Sequence, residues 1–196
     1  DMTTDVLDML ASRRSFKLVT GPGPSQGELD RILQTAMSAP DHGALRPWRF
    51  RLIRGEAIGR LADMAIQAMK DSVEYQVGPE KEAAIRQWLG EVPVVLAVAC
   101  HLDHRNERIP QWEREVATGA AVTNILNAAH ALGYGAFWST GLGTGLDTVQ
   151  EALGFDPLDH RFMGYVVIGT PAVQPSAQPR DPIAGYVREW HAPETV

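Results

Sequence analysis

Apolar positions along the chain recur with two periods, near 3.6 and near 2, and the switches between them lay out its elements. Val6, Leu7, Met9 and Leu10 make one face of a first helix that Thr3 or Thr4 can cap and that closes on Ser12-Arg13-Arg14-Ser15. Leu29, Ile32, Leu33, Ala36 and Met37 carry a second helix behind Ser25-Gln26-Gly27-Glu28, which has the form of a capping box. Pro40 disfavours helical geometry in Ala39, so the helix stops there and a proline-bracketed loop follows to Trp48. Arg49 to Ile53 alternates arginine with apolar residues and predicts a strand. A third helix carries Ile58, Leu61, Ala65 and Met69, and a charged amphipathic helix at 78–90 reads as an excursion over the surface. Val92 to Cys100 is the most apolar run and predicts a central strand buried on both faces.

The longest pattern runs from Trp112 to Gly143. After Glu113, Arg114 and Glu115 no charged side chain appears until Asp147. Val116, Ala120, Thr123, Asn127 and His130/Ala131 form one row at helical spacing, and Ala117, Ala121, Asn124 and Ala128 form another. The helix is apolar or small on nearly every side, which predicts full burial. Its small residues allow close backbone approach, and a second copy of the chain is the expected neighbour. Thr118, Thr123, Asn124, Asn127 and His130 interrupt any membrane span. Gly133 is a ready helix terminator, and Ala136 to Thr140 then reads as a buried strand. A short helix with Leu146, Val149 and Leu153 ends at Gly154, and Phe162 to Ile168 is another apolar strand. From about residue 171 to 196 the chain reads as an extended arm with an apolar end at Ile183, Tyr186, Val187 and Trp190. One domain with one sheet is expected, of α/β or α+β class.

Composition narrows the function. With 196 residues and 44% apolar content the chain can bury a real core, and a net charge of -6 argues against sequence-independent nucleic-acid binding. A single cysteine, Cys100, and a first segment without basic and apolar signal regions lead to a cytoplasmic expectation with no membrane partner. His101, Asp103 and His104 have metal-ligand residue types, but a polar turn accounts for them and no metal is expected. Asp159 and His160 lack a Gly-x-Ser-x-Gly elbow, and there is no phosphate-binding P-loop. Gly141, Gly143 and Gly145 are spaced wrongly for a dinucleotide loop, since Leu146 stands where the last glycine belongs. The arginines at 46, 49, 51 and 54 favour a solvated strand face over a binding patch. For Arg13 and Arg14, dipole compensation at a helix end and capture of an anion both stay open.

Four separated segments in this order resemble the nitroreductase family, the FMN-dependent NAD(P)H oxidoreductases, and its short, minimal branch. They are Ser12-Arg13-Arg14-Ser15; Ala39-Pro40-Asp41-His42 with Arg46-Pro47-Trp48; Trp112-Glu113 leading the long helix to Gly133, Gly135 and Trp138; and Val167-Ile168-Gly169-Thr170-Pro171. The resemblance implies an α+β fold with a central mixed or antiparallel sheet flanked by helices. It also implies a homodimer built on the long helix, with FMN at the subunit interface. Arg13, Arg14 and Ser15 would hold the phosphate, Ser38 and His42 would come from the partner chain, and Trp138, Ser139 and Thr140 would line the flavin. In the short branch the end of the long helix is assigned to the dinucleotide; here that is Ala128, Ala129, His130, Ala131, Leu132 and Gly133. The implied chemistry is hydride transfer from NAD(P)H to flavin N5, then to a nitroaromatic, quinone or similar acceptor on the same face, with no side-chain nucleophile and with a backbone N–H of the 40–46 loop donating near N5. The alternative is a protein that binds or stores FMN with little turnover. Arg46 stands where the family usually has glutamine, and Ser139 where relatives can carry arginine.

Overall fold

Among the described residues of the computed structural model, 2–174 and 179–193, the elements run α1 (Met2–Ser12), β1 (Val19–Thr20), α2 (Gln26–Gln34), β2 (Trp48–Arg54), α3 (Glu56–Asp71) and α4 (Pro79–Gly90). They continue with β3 (Val94–His101), α5 (Gln111–Ala131), β4 (Gly135–Ser139), α6 (Asp147–Ala152) and β5 (His160–Pro171). The capping expectation at Thr3 and Thr4 concerns side chains outside the described residues, as do 175–178 and 194–196 of the expected arm.

The sheet is organised on β5. This strand pairs antiparallel with β3 from Val94↔Ile168 to His101↔His160, with β4 from Gly135↔Gly169 to Ser139↔Tyr165, and with β1 at Val19↔Pro171 and Thr20↔Thr170. The far side of β3 is closed by β2, from Trp48↔Cys100 to Arg54↔Val94. A parallel bridge, Ser15↔Ala136, joins the turn after α1 to β4. The fold is therefore α+β, and the glycines after β4 do not open a doubly wound parallel sheet.

Strand β3 shows why its sequence is apolar throughout. Val94, Leu96 and Val98 pack with residues of α2 and α5, whereas Val95, Ala97 and Ala99 pack with residues of α3 and α4. Alternating side chains thus enter two cores, one on each face of the sheet. Helix starts and stops follow local chemistry. Ser25 Oγ accepts from the Glu28 N–H while Glu28 Oε1 accepts from the Ser25 N–H. At the end of α5, Gly133 takes φ +88; its N–H donates to the His130 carbonyl and that of Tyr134 to the Ala129 carbonyl, a Schellman turn that reverses the chain into β4.

Within one chain the long helix is covered on one side only: Ala117, Ala121, Val122, Ile125 and Ala129 pack inward, while Trp112 and Val116 are 62% and 61% exposed. Thr123 and Ala131 continue that open, uncharged row. Helix α4 is a surface helix, as expected, and it is anchored on α3. Glu82 pairs with Lys70 at 2.6 Å and Arg86 with Asp63 at 2.6 Å, tying α4 to α3, and Leu89 is buried. The β2 arginines are held by oxygens of the chain: Arg49 donates to the Arg46 and Trp48 carbonyls, Arg51 to that of Gly154, and Arg54 to Gln26 Oε1. No helix among the described residues is long and apolar enough to cross a membrane.

Candidate cofactor site

The turn at 12–17 is held from several directions. Ser12 Oγ lies 2.9 Å from His130 Nε2, and the Arg13 carbonyl accepts from Arg180 Nη2. The Phe16 N–H donates to the Ala136 carbonyl at 2.9 Å, and Trp88 Nε1 donates to the Lys17 carbonyl at 2.8 Å. Parts separated by as many as 167 positions thereby fix a turn that carries two guanidinium groups and the Ser15 hydroxyl. The turn also follows the C-terminal end of α1, whose partial negative charge offsets part of the positive charge. The two explanations of Arg13 and Arg14 are therefore compatible at one place.

Beside this turn β4 begins, and Trp138, Ser139 and Thr140 lie at its far end. Trp138 Nε1 donates to the Met163 carbonyl at 2.8 Å, which turns the ring toward α5. A Cβ on Gly119 of α5 would lie 3.8 Å from that ring. Ser139 Oγ accepts from the Gly141 N–H at 3.1 Å, and Thr140 is exposed. Gly164 of β5 lies against the Ser139 carbonyl: its φ is +96, and a Cβ there would stand 2.3 Å from that oxygen.

Ser38 and His42 lie elsewhere. Asn124 Nδ2 donates to the Thr35 carbonyl and holds the 3₁₀ turn Thr35–Ser38 against the middle of α5. His42 Nδ1 lies 3.2 Å from Glu113 Oε1 at the start of that helix. Both Ser38 and His42 are exposed. At 1.5 Å per residue, Glu113 and His130 are about 25 Å apart along α5. One chain therefore does not bring His42 and the arginine turn together. The loop between Pro40 and Arg46 is built by Asp41, which accepts from the Ala44 N–H through its carbonyl and from the Leu45 and Arg46 N–H groups through its carboxylate, the last at 2.7 Å. Those three donors are spent within the loop, so the expected donor to a flavin is none of them.

The end of α5 is mixed in character. Ala129 is fully buried, Ala128, His130 and Leu132 are half-buried, and Ala131 and Gly133 are exposed. Next to it Tyr134 Oη donates to Glu28 Oε1 at 2.7 Å. The Ser25 backbone N–H and then the Tyr134 hydroxyl hold the Glu28 carboxyl below its usual range.

The other candidates have structural partners. His104 Nε2 lies 2.7 Å from the Leu158 carbonyl. His160 Nδ1 approaches the Asp156 carbonyl at 3.2 Å and Asp159 Oδ1 at 2.5 Å, although the latter is not aligned as a hydrogen bond. Burial pushes the Cys100 thiol up, away from nucleophilic use. Sequence reasoning missed Arg114, which is buried and clamps the loop before α5 by donating to the Asn106 carbonyl at 2.5 Å. It also missed Trp88 and the inward role of His130. Contacts across 71 and 118 positions leave no periodic signal.

Comparison with known proteins agrees with this architecture. The profile of the nitroreductase family matches residues 10–170. A protein of Escherichia coli K12 named "Putative NAD(P)H nitroreductase YdjA" is 32% identical over 88% of this chain and 91% of its own length. A relative in Haemophilus influenzae, also named for NAD(P)H nitroreduction, is 32% identical over 85% of this chain and 88% of its own. A nitroreductase-like protein from Bacillus cereus shares the fold with a TM-score of 0.78 at 24% identity, covering 94% of this chain and 95% of its own. A Desulfovibrio desulfuricans protein crystallised in complex with FMN superposes with a TM-score of 0.72 at 26% identity, covering 96% and 98%. By family profile and by relatives matched over most of their length, the chain belongs to the nitroreductase family.

Proposed function

We propose that the protein is an FMN-dependent oxidoreductase that takes electrons from NAD(P)H and passes them to nitroaromatic, quinone or similar electron-poor acceptors. It works as a homodimer with two sites at the subunit interface. The observation that carries this reading is the separation of His42, at the start of α5, from the Arg13–Ser15 turn at its end, with Ser38 near the middle. An antiparallel pairing of two α5 helices through their uncharged row sets the Arg13–Ser15 turn of one chain near Ser38 and His42 of the partner subunit.

The residues present fit FMN. Arg13 and Arg14 offer charge-assisted hydrogen bonds to a phosphate, and Ser15 adds a hydroxyl. Ser15 is bridged to Ala136, and Ser139 lies three residues along β4, about 10 Å away by strand rise. An elongated ligand with its phosphate at the turn therefore reaches Ser139 and Thr140. Bound FMN supplies the reversible hydride chemistry, and the protein supplies position and access. Trp138 closes the α5 side of the space. The end of α5, with Ala131 and Gly133 open and Ala128, Ala129, His130 and Leu132 beneath them, is where the dinucleotide approaches.

The test is the visible spectrum and solution mass of the purified protein. A yellow dimer, bleached by NADH or NADPH and restored by a quinone or nitroaromatic compound, is the expected outcome. A colourless monomer indifferent to added FMN overturns the reading. A flavin that bleaches and is not restored identifies a flavin-holding protein instead.

A further inference from the structure

We infer that His130 is a positioning residue for the phosphate-binding turn, acting through Ser12, and is not a contact of the dinucleotide; this rests on the FMN reading above. Its Nε2 lies 2.9 Å from Ser12 Oγ, one residue before Arg13. Ser12 Oγ also lies 3.2 Å from the Met9 carbonyl, to which it can donate while accepting from the imidazole in the tautomer that carries its proton on Nε2.

The two ends of this contact differ in rigidity. His130 stands in the last turn of α5, which is fixed by the Gly133 reversal and by fully buried Ile125 and Ala129. Helix α1 has little packing of its own: no residue from Asp5 to Ser12 is buried, and Val6, Leu7 and Leu10 are all exposed within the chain. Within one chain apolar burial therefore does not set where the end of α1 lies; the Ser12–His130 contact does so on the α1 side, while the bonds at Arg13, Phe16 and Lys17 hold the residues after it. The imidazole turned toward Ser12 has that nitrogen committed inside the chain. Its effect on a ligand is carried by the placement of Arg13, Arg14 and Ser15.

The experiment measures FMN and riboflavin binding to flavin-stripped wild type, His130→Ala, His130→Gln, Ser12→Ala and the Ser12→Ala/His130→Ala double variant, by quenching of flavin fluorescence. Riboflavin lacks the phosphate, so a defect at the turn separates the two ligands. His130→Ala and Ser12→Ala are each expected to weaken FMN binding about three- to tenfold, the worth of one neutral hydrogen bond, and to leave riboflavin binding unchanged. The double variant is expected to be no weaker than either single one, because both remove the same contact. Glutamine presents a polar group near the place of Nε2, so His130→Gln is expected to recover FMN binding to within about twofold of wild type. FMN affinity unchanged in His130→Ala, with a raised KM for the dinucleotide, overturns the inference. So does an equal loss for both flavins, or failure of glutamine to rescue. Arg13→Ala serves as the reference: if it lowers FMN affinity while His130→Ala does not, the FMN reading stands and the inference falls. Failure of wild type to bind FMN at all sinks both.

Discussion

His42 Nδ1 stands 3.2 Å from Glu113 Oε1, at the opposite end of α5 from the contact between Ser12 and His130. The helix holds His42 and the arginine turn apart within one chain, and in the proposed homodimer its open row is the surface on which a second chain unites them. Thr123 lies on that row and is exposed, so a larger side chain there leaves the fold of one chain intact. Thr123→Arg places like charges opposite each other across a two-fold seam and is expected to give folded monomers that have lost FMN. Light scattering and the visible spectrum of the same sample check this; a yellow dimer of the variant would remove α5 from the interface.

On the proposed reading, Arg13→Ala removes a charge-assisted bond to the FMN phosphate. Such a bond is worth about 1.5–3 kcal/mol, so FMN affinity is expected to fall roughly ten- to a hundredfold. Riboflavin affinity should hold. Isothermal titration of the flavin-stripped protein with each ligand separates the outcomes, and equal losses for both would refute the phosphate assignment.

Gly164→Ala tests the contact beneath the candidate site. The added methyl meets the backbone oxygen of Ser139, which has no rotamer to escape into, and φ is +96. A cost of about 3 kcal/mol or more is expected in urea unfolding. Gly27→Ala is the control: it lies in α2 with open space where its Cβ would stand, and a gain of about 0.5–1 kcal/mol is expected.

Acid sensitivity is expected from His101. Burial first, then the charge of Arg49 and the neighbouring His160, lower its pKa in the folded chain. The unfolded chain therefore takes up this proton before the folded one does, and stability rises with pH across that interval. As pH falls below the ordinary imidazole value of about 6.5, stability is lost until the lower folded value is passed. A Tm series from about pH 7.5 to 5.5 should decline, and His101→Gln should flatten the decline. An unchanged slope in that variant would assign the acid loss to other groups.

Much of this fold is legible because its signals are local. The Ser25 and Glu28 pair and the Gly133 reversal each complete their hydrogen bonds within a few residues, so spacing alone identifies them. Continuous apolarity marked β3 because both of its faces are covered. The two-residue strand β1 escaped notice, since Val19 and Thr20 are extended only because the end of β5 lies beside them. The uncharged rows of α5 were legible, but helical periodicity does not say which of them the chain's own elements cover. At the site, Arg13 and Arg14 were visible as residue types, while the contacts of Trp88, His130 and Arg180 that orient their turn depend on tertiary folding.

Because β5 is the shared neighbour of β1, β3 and β4, the sheet is completed only by residues 160–171. Val19 waits for Pro171, and β4 finds its hydrogen-bonded neighbour only after α6 has been made. Strands β2 and β3, joined through α3 and α4, pair with each other, but the other side of β3 keeps its backbone groups unpaired until residues 160–171 are in place. A chain cut short of β5 would thus present that row of backbone donors and acceptors to any other extended segment.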